Sequence, residues 1–188
     1  FYNFSDLGEG RFGFGVADVS GKGIKSSLLM SKASSLYRCL SKTIFSAAEL
    51  LNILNDEICE TASRGMFVTM VIGIYDSNKK ELLLSNAGHE PPLILSKGEN
   101  FSNLEEAGPP LGIAPKFKFT EKLISFKESS MYIFTDGITE MKDPKGEMLG
   151  QEGFQNYIKK YQSIPSSQRL SKIIEDLIKS GRIQKDDS

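Results

Sequence analysis

A chain of 188 residues with 39% hydrophobic and 25% charged side chains has the composition of an ordinary globular protein with a real core. Its 23 basic and 24 acidic residues leave a net charge of −1, which argues against nucleic acid or an anionic membrane surface as the partner. No run approaches the roughly 18 apolar residues that span a bilayer, and the opening residues do not read as a signal peptide.

Residues 1–6 and 11–17 alternate as two strands around the turn Leu7-Gly8-Glu9-Gly10. A second turn, from Asp18 to Gly23, leads into a helix over 24–43, where Ile24, Leu28, Ala33, Leu36, Leu40 and Ile44 recur at helical spacing. Ser46-Ala47-Ala48-Glu49 has the form of a capping box and opens a helix over 46–63 with Leu50, Leu51, Leu54 and Ile58 on its apolar face. Residues 67–75 and 81–86 are β-rich, and Asp76-Ser77-Asn78 between them predicts a hairpin. A short strand at Leu93-Ile94-Leu95 follows Pro91-Pro92, and Gly108-Pro109-Pro110-Leu111-Gly112 must be irregular. Strands are expected over 117–126 and 131–135. Helices are expected over about 151–162 and 167–180, the last with Leu170, Ile173, Ile174 and Leu177 as its apolar face.

Hairpin-linked strands pair antiparallel, and strand runs that segregate from helix runs imply an α+β fold rather than a doubly wound parallel sheet. There is no internal repeat and no domain linker, so residues 1–188 read as one domain. Phe1 looks like mid-strand, and Ser188 follows two acids where a further strand could begin, so the chain reads as a piece of a longer protein. The two cysteines, Cys39 and Cys59, fall within helical patterns and make no disulfide framework, which points to a reducing, cytoplasmic compartment.

The chemistry-bearing residues are few. Asp18 and Asp136 each follow a short apolar strand, and Asp186-Asp187 lie at the end of the chain. Carboxylates on rigid strand ends are the ligands of hard cations such as Mg²⁺ or Mn²⁺, so these distant acids are expected to converge on a two-metal site for phosphoryl chemistry. The alternative is that both aspartates simply form turns. Lys22, in Ser20-Gly21-Lys22-Gly23 before a helix, is either an anion contact or a solvated turn residue. Gly8-x-Gly10-x-x-Gly13 matches a dinucleotide fingerprint literally, but a strand rather than a helix follows it, and a nucleotide-binding enzyme rests on those glycines alone. Cys59 and Arg64 are one residue too close for a thiol phosphatase loop, and Cys59 reads as a small core residue. His89 is the only histidine, which excludes a His-based zinc cluster. It is an acid, a substrate contact or, most commonly for such a residue, a loop-fixing group.

Taken together, several stretches resemble one family. They are Phe1-Tyr2-Asn3-Phe4, Val16-Ala17-Asp18-Val19-Ser20-Gly21-Lys22-Gly23 with Ser27-Leu28-Leu29-Met30, and Ser85-Asn86-Ala87-Gly88-His89-Glu90-Pro91-Pro92. Gly108-Pro109-Pro110-Leu111-Gly112, Phe134-Thr135-Asp136-Gly137-Ile138-Thr139-Glu140 with Gly146-Glu147, and Asp186-Asp187 continue the series in order. This resembles the SpoIIE/RsbU-like branch of the PPM (type 2C-like) metal-dependent serine/threonine phosphatases. The resemblance implies an αββα four-layer sandwich of two mostly antiparallel sheets flanked by helices. It implies two Mn²⁺ or Mg²⁺ ions, with Asp18 bridging both, the Val19 carbonyl on the first, and Asp136 and Asp186 on the second. A metal-bridging hydroxide would hydrolyse a phosphorylated protein, such as an anti-sigma-factor antagonist of a bacterial partner-switching system. An upstream sensor domain and a homodimer built on the helices at 24–43 and 46–63 are also implied, although plain outer-layer packing explains those helices equally well. The family's opening Asp would stand immediately before Phe1, Val19-Ser20 replaces the histidine that eukaryotic-type members carry, and nothing matches their phosphate-gripping arginine near the N-terminus. Phosphate grip is therefore left to Lys22, and a catalytically impaired binding or scaffold domain is the alternative function.

Overall fold

The computed structural model describes residues 1–61, 65–96, 101–103 and 108–182. Its chain divides into two compact units, Phe1–Ile133 and Phe134–Ser188, each described by itself.

The first unit opens with a hairpin of β1 (Tyr2–Gly8) and β2 (Arg11–Val19). Gly8, Glu9 and Gly10 all have positive φ, at 76°, 54° and 75°, a left-handed run that glycine adopts without strain, so the glycines serve the turn and not a nucleotide. Helices α1 (Ile24–Leu40) and α2 (Ala47–Thr61) follow, then the hairpin of β3 (Val68–Asp76) and β4 (Glu81–Ala87). Asp76 Oδ1 accepts the N–H groups of Asn78 and Lys79, at 2.9 and 3.0 Å, which closes that turn as its sequence predicts. β5 (Leu93–Ser96), β6 (Phe101–Asn103), β7 (Lys122–Ser125) and β8 (Ser129–Tyr132) complete the strands. One sheet runs β1-β2-β3-β4-β7 and the other β6-β5-β8, and every described ladder is antiparallel.

The five-stranded sheet buries both faces. On one, Ala17, Met70, Ile72 and Ala87 pack with Leu29, Ala33 and Tyr37 of α1 and Leu50, Leu51, Leu54 and Ile58 of α2. On the other, Phe14, Val71, Leu82 and Leu84 pack with Ile94 of the second sheet. Removing this much apolar surface from water is the main favourable term in the fold. The α+β sandwich read from the sequence is the architecture observed.

Several local expectations shift. The buried face of α1 is Ser26, Leu29, Ala33 and Tyr37, whereas Ile24 and Leu28 are 80% and 66% exposed. The cause lies on β2: a Cβ on Gly15 would stand 2.8 Å from the Tyr37 ring, so only a bare glycine floor admits that side chain. Burial pushes the Tyr37 phenol far above its ordinary pKa. The strand expected over 117–126 shrinks to β7. The segment before it is tied to α2 instead, through Asn52 Oδ1 to the Phe119 N–H at 2.8 Å and Asp56 Oδ1 to the Lys116 N–H at 3.0 Å. Ser46 caps α2 as expected, accepting the Glu49 N–H at 3.2 Å. A second first-turn donor, the Ala48 N–H, is met by Glu121, 73 positions away, at 3.1 Å. Glu121→Ala is expected to cost about 1 kcal/mol, the usual worth of a cap, readable as a lower urea midpoint at unchanged slope.

The second unit begins with the single-turn α3 (Asp136–Thr139), followed by α4 (Gly150–Lys160) and α5 (Ser166–Lys179). The strand expected over 131–135 stops at Tyr132, because Phe134 packs edge-on against Phe154 of α4, their centroids 5.1 Å apart. In α5, Ile173 and Leu177 are buried, while Leu170 and Ile174 of the expected apolar face are 56% and 41% exposed. Asp176 accepts hydrogen bonds from Lys160 Nζ and, at 2.8 Å, from the Tyr161 hydroxyl. The lysine and then the tyrosine bond hold its carboxyl below the usual carboxylate range. A depressed folded-state pKa stabilises above the ordinary value of about 3.9, and that contribution is lost as pH falls through the folded value. Asp176→Asn is therefore expected to flatten the dependence of melting temperature on pH on the acid side and to leave its shape near neutrality unchanged.

Candidate functional site

β2 carries the first site residues. Asp18 and Val19 are its last two positions, opposite Thr69 and Val68 of β3. Asp18 is half-buried, and its Oδ1 accepts the Val19 N–H at 3.0 Å. The turn after them is pinned from three sides. Ser20 N–H donates to the Phe67 carbonyl at 2.9 Å, the Ser20 hydroxyl accepts the Phe67 N–H at 2.9 Å, and the Ser26 hydroxyl donates to the Ser20 carbonyl at 3.2 Å. Helix α1 then starts at Gly23 with no side-chain cap and no acid in its first turn. Its N-terminal N–H groups and the positive end of its dipole are left open to an anion, with exposed Lys22 beside them. A cavity of about 580 Å³ opens here, lined by Val19, Lys22, Gly23 and the Ser26, Ser27, Ser31 and Ser34 side of α1.

The strand pair is braced from below. Val68 and Leu111 exchange backbone hydrogen bonds at 3.0 and 2.8 Å, and the next glycine, Gly112, donates its N–H to buried Asn55 Oδ1 of α2 at 3.1 Å. Asn55 also donates to the Ala114 carbonyl at 2.9 Å. Cys59 bonds the same Asn55 oxygen through sulfur at 3.6 Å, and desolvation pushes its thiol pKa up, the reverse of an activated nucleophile.

Loop 86–89 is closed on itself. The Asn86 side chain donates to the His89 carbonyl at 3.0 Å and accepts the His89 N–H at 2.8 Å. His89 is 4% exposed, and its Nδ1 lies 3.0 Å from the Thr69 hydroxyl. That environment favours the loop-fixing role over a solvent-facing acid.

Asp136 opens α3 rather than ending a strand, and its carboxylate is exposed. It belongs to the second unit and Asp18 to the first. Asp186 and Asp187, like Arg64, lie outside the described residues. Among the described residues no three His, Cys, Asp or Glu side chains gather as a metal centre. The donors in question are all oxygens, carboxylates and one carbonyl, which is the set that hard Mg²⁺ and Mn²⁺ prefer. Thr69 and Asn55 escaped the reading of the sequence, and Asn86 entered it only as part of its motif, without a role. The only signal was a polar residue set among aliphatic or helical neighbours.

Comparison with known proteins follows the same lines. The family model for Stage II sporulation protein E (SpoIIE) matches residues 8–188. Phosphoserine phosphatase RsbU of Bacillus subtilis (strain 168) is 29% identical over 166 residues, covering 87% of this chain and 49% of that protein. The PP2C phosphatase domain of SpoIIE from Bacillus subtilis superposes with a TM-score of 0.78 at 16% identity, over 96% of this chain and 53% of that one. RsbX in complex with magnesium superposes at 0.69 and 15% identity, over 95% and 79%. The chain thus spans about half the length of RsbU. A model match over nearly the whole sequence decides the family: the chain belongs to the SpoIIE family, and it is similar to RsbU in sequence and to PP2C phosphatase domains in fold.

Proposed function

We propose that this chain is the catalytic domain of a metal-dependent protein phosphatase that hydrolyses phosphoserine or phosphothreonine in a protein substrate. The observation that carries the reading is the juxtaposition at the end of β2. Val19, next after Asp18 on the strand, lines a cavity edged by Lys22 and by the uncapped start of α1. A carboxylate for a cation and a basic rim for an anion stand side by side, which suits a phosphate monoester.

In this reading the Asp18 carboxylate and the Val19 carbonyl would be ligands for Mn²⁺ or Mg²⁺, with Asp136 and Asp186 as the further carboxylates proposed for the metals. When bound, such ions lower the pKa of water toward neutrality and neutralise phosphoryl charge. The chain's own part is binding and orientation. Lys22 and the first N–H groups of α1 take the phosphoryl oxygens, and the serine side of α1 receives the flanking polypeptide. The likeness to RsbU at 29% identity, and to the magnesium complex of RsbX in fold, supports this assignment.

The proposal extends to setting. The domain would work within a longer bacterial signalling protein, under an upstream sensor and as a homodimer, on a phosphorylated anti-sigma-factor antagonist in the cytoplasm. No described helix is long and apolar enough to cross a membrane.

The test is phosphate release from a phosphoserine protein by the full-length protein with Mn²⁺. Release that EDTA stops is expected. Tight binding of the phosphoprotein without release would assign the chain to a scaffold role, and release that EDTA leaves intact would reject the metal reading.

A further inference from the structure

The only histidine of the chain, His89, is buried. His89 is held by both main-chain and side-chain groups in a buried loop, and the ring it presents meets one partner of interest, Thr69. Thr69 stands directly opposite Asp18 across the β2–β3 ladder, so the two side chains share a face of the sheet. Its hydroxyl also reaches the Asp18 main-chain carbonyl at 3.4 Å, the long end of hydrogen-bonding distance.

A threonine hydroxyl has one proton. The Asp18 carbonyl can only accept, so the Thr69 proton reaches it when the ring carries its own proton on Nδ1 and the hydroxyl oxygen accepts from His89. With the proton on Nε2 alone, Nδ1 would take the Thr69 proton and release the Asp18 carbonyl. The tautomer of a buried ring thereby sets which way the peptide link between Asp18 and Val19 is held.

We infer that His89 and Thr69 form a positioning pair, in which the histidine aims the threonine hydroxyl at the Asp18 carbonyl and so orients the Asp18 carboxylate and the Val19 carbonyl toward a divalent cation. The inference rests on the metal reading above and deepens it. Neither residue touches substrate. Each acts through the strand end, as outer partners of metal ligands commonly do.

The experiment is a calorimetric titration of the full-length protein with Mn²⁺ alone, without substrate, beside melting curves of the metal-free forms. Thr69→Val keeps the volume and removes the hydroxyl. It is expected to weaken Mn²⁺ binding about 10- to 100-fold, the range found for outer partners of metal ligands. His89→Ala should do the same, and the double variant should be no weaker than the worse single one, since both break one chain of contacts. Thr69→Ser keeps the hydroxyl and should bind within about threefold of wild type, even if its melting temperature falls. A merely structural role would lower melting temperatures and leave the Mn²⁺ affinity of folded protein unchanged. Folded Thr69→Val with wild-type affinity therefore overturns this inference alone. A wild-type protein that takes up no Mn²⁺ overturns the metal reading and this inference together.

Discussion

Asp18→Asn is expected to abolish Mn²⁺ uptake and cut phosphate release by at least about 10²- to 10³-fold, while leaving the fold intact. The substitution isolates charge. An asparagine of nearly equal volume still offers a carbonyl oxygen to the Val19 N–H, the bond that Asp18 Oδ1 makes at 3.0 Å. The residue is half-buried at the end of a strand whose ladder with β3 runs to its last position, so local geometry has no reason to change. Stability should move by no more than about 0.5 kcal/mol, as at positions without a packing or pairing role. What disappears is the full negative charge that draws a hard cation to oxygen donors. Phosphate release at saturating Mn²⁺ and a thermal melt, measured on the same preparation, check both halves. Activity within about tenfold of wild type would refute the assignment of Asp18.

Gly88→Ala is expected to be strongly destabilising. Gly88 has φ of 66°, a left-handed conformation that costs a residue with a Cβ about 1–2 kcal/mol. A Cβ there would also stand 2.6 and 2.7 Å from Pro110 Cγ and Cδ, and 2.8 Å from its backbone nitrogen. A proline ring and a main-chain atom cannot swing aside as a lysine end can, so overpacking adds roughly 1–3 kcal/mol. The neighbouring seam has little slack, since the Gly108 N–H donates to the Asn86 carbonyl at 2.9 Å and Leu111 is locked to Val68. The sum is about 2–5 kcal/mol, which corresponds to a fall in melting temperature of roughly 5–15 °C for a chain of this size. His89 would lose its seat against Thr69 in the same stroke. A melting temperature within about 1 °C of wild type would show that the loop yields freely and that the seam carries little.

The folding pattern of the first half could be read before any coordinates. Hairpin turns at Gly8–Gly10 and Asp76–Asn78, and the cap at Ser46, are local events, settled by a few adjacent residues and their permitted dihedrals. Two features eluded such reading. Alternation makes 117–126 read as one continuous strand, but the Asn52 side chain of α2, 67 positions away, claims its Phe119 N–H, and Asp56 claims that of Lys116 just before it. The apolar spacing of α1 pointed to Ile24 and Leu28, and hydrophobicity could not say that a glycine on β2 would admit Tyr37 instead.

The candidate site divides in the same way. Asp18, Val19 and Lys22 fall at the strand end and turn where their motif places them, whereas Asp136 starts a helical turn that its apolar run had masked.

By itself, then, the order of residues determined the antiparallel α+β class, the family and the acids available for a cation, because period, turn chemistry and motif are written within a few residues of each other. Only the tertiary structure decided that Thr69, Asn86 and His89 brace Asp18, that Asn55 braces the loop beside Val68, and that Tyr37 rather than Leu28 enters the core. Those outcomes depend on which buried polar group finds which partner after distant segments have closed, and on the shape of the surface each side chain meets. No local pattern along the chain encodes either.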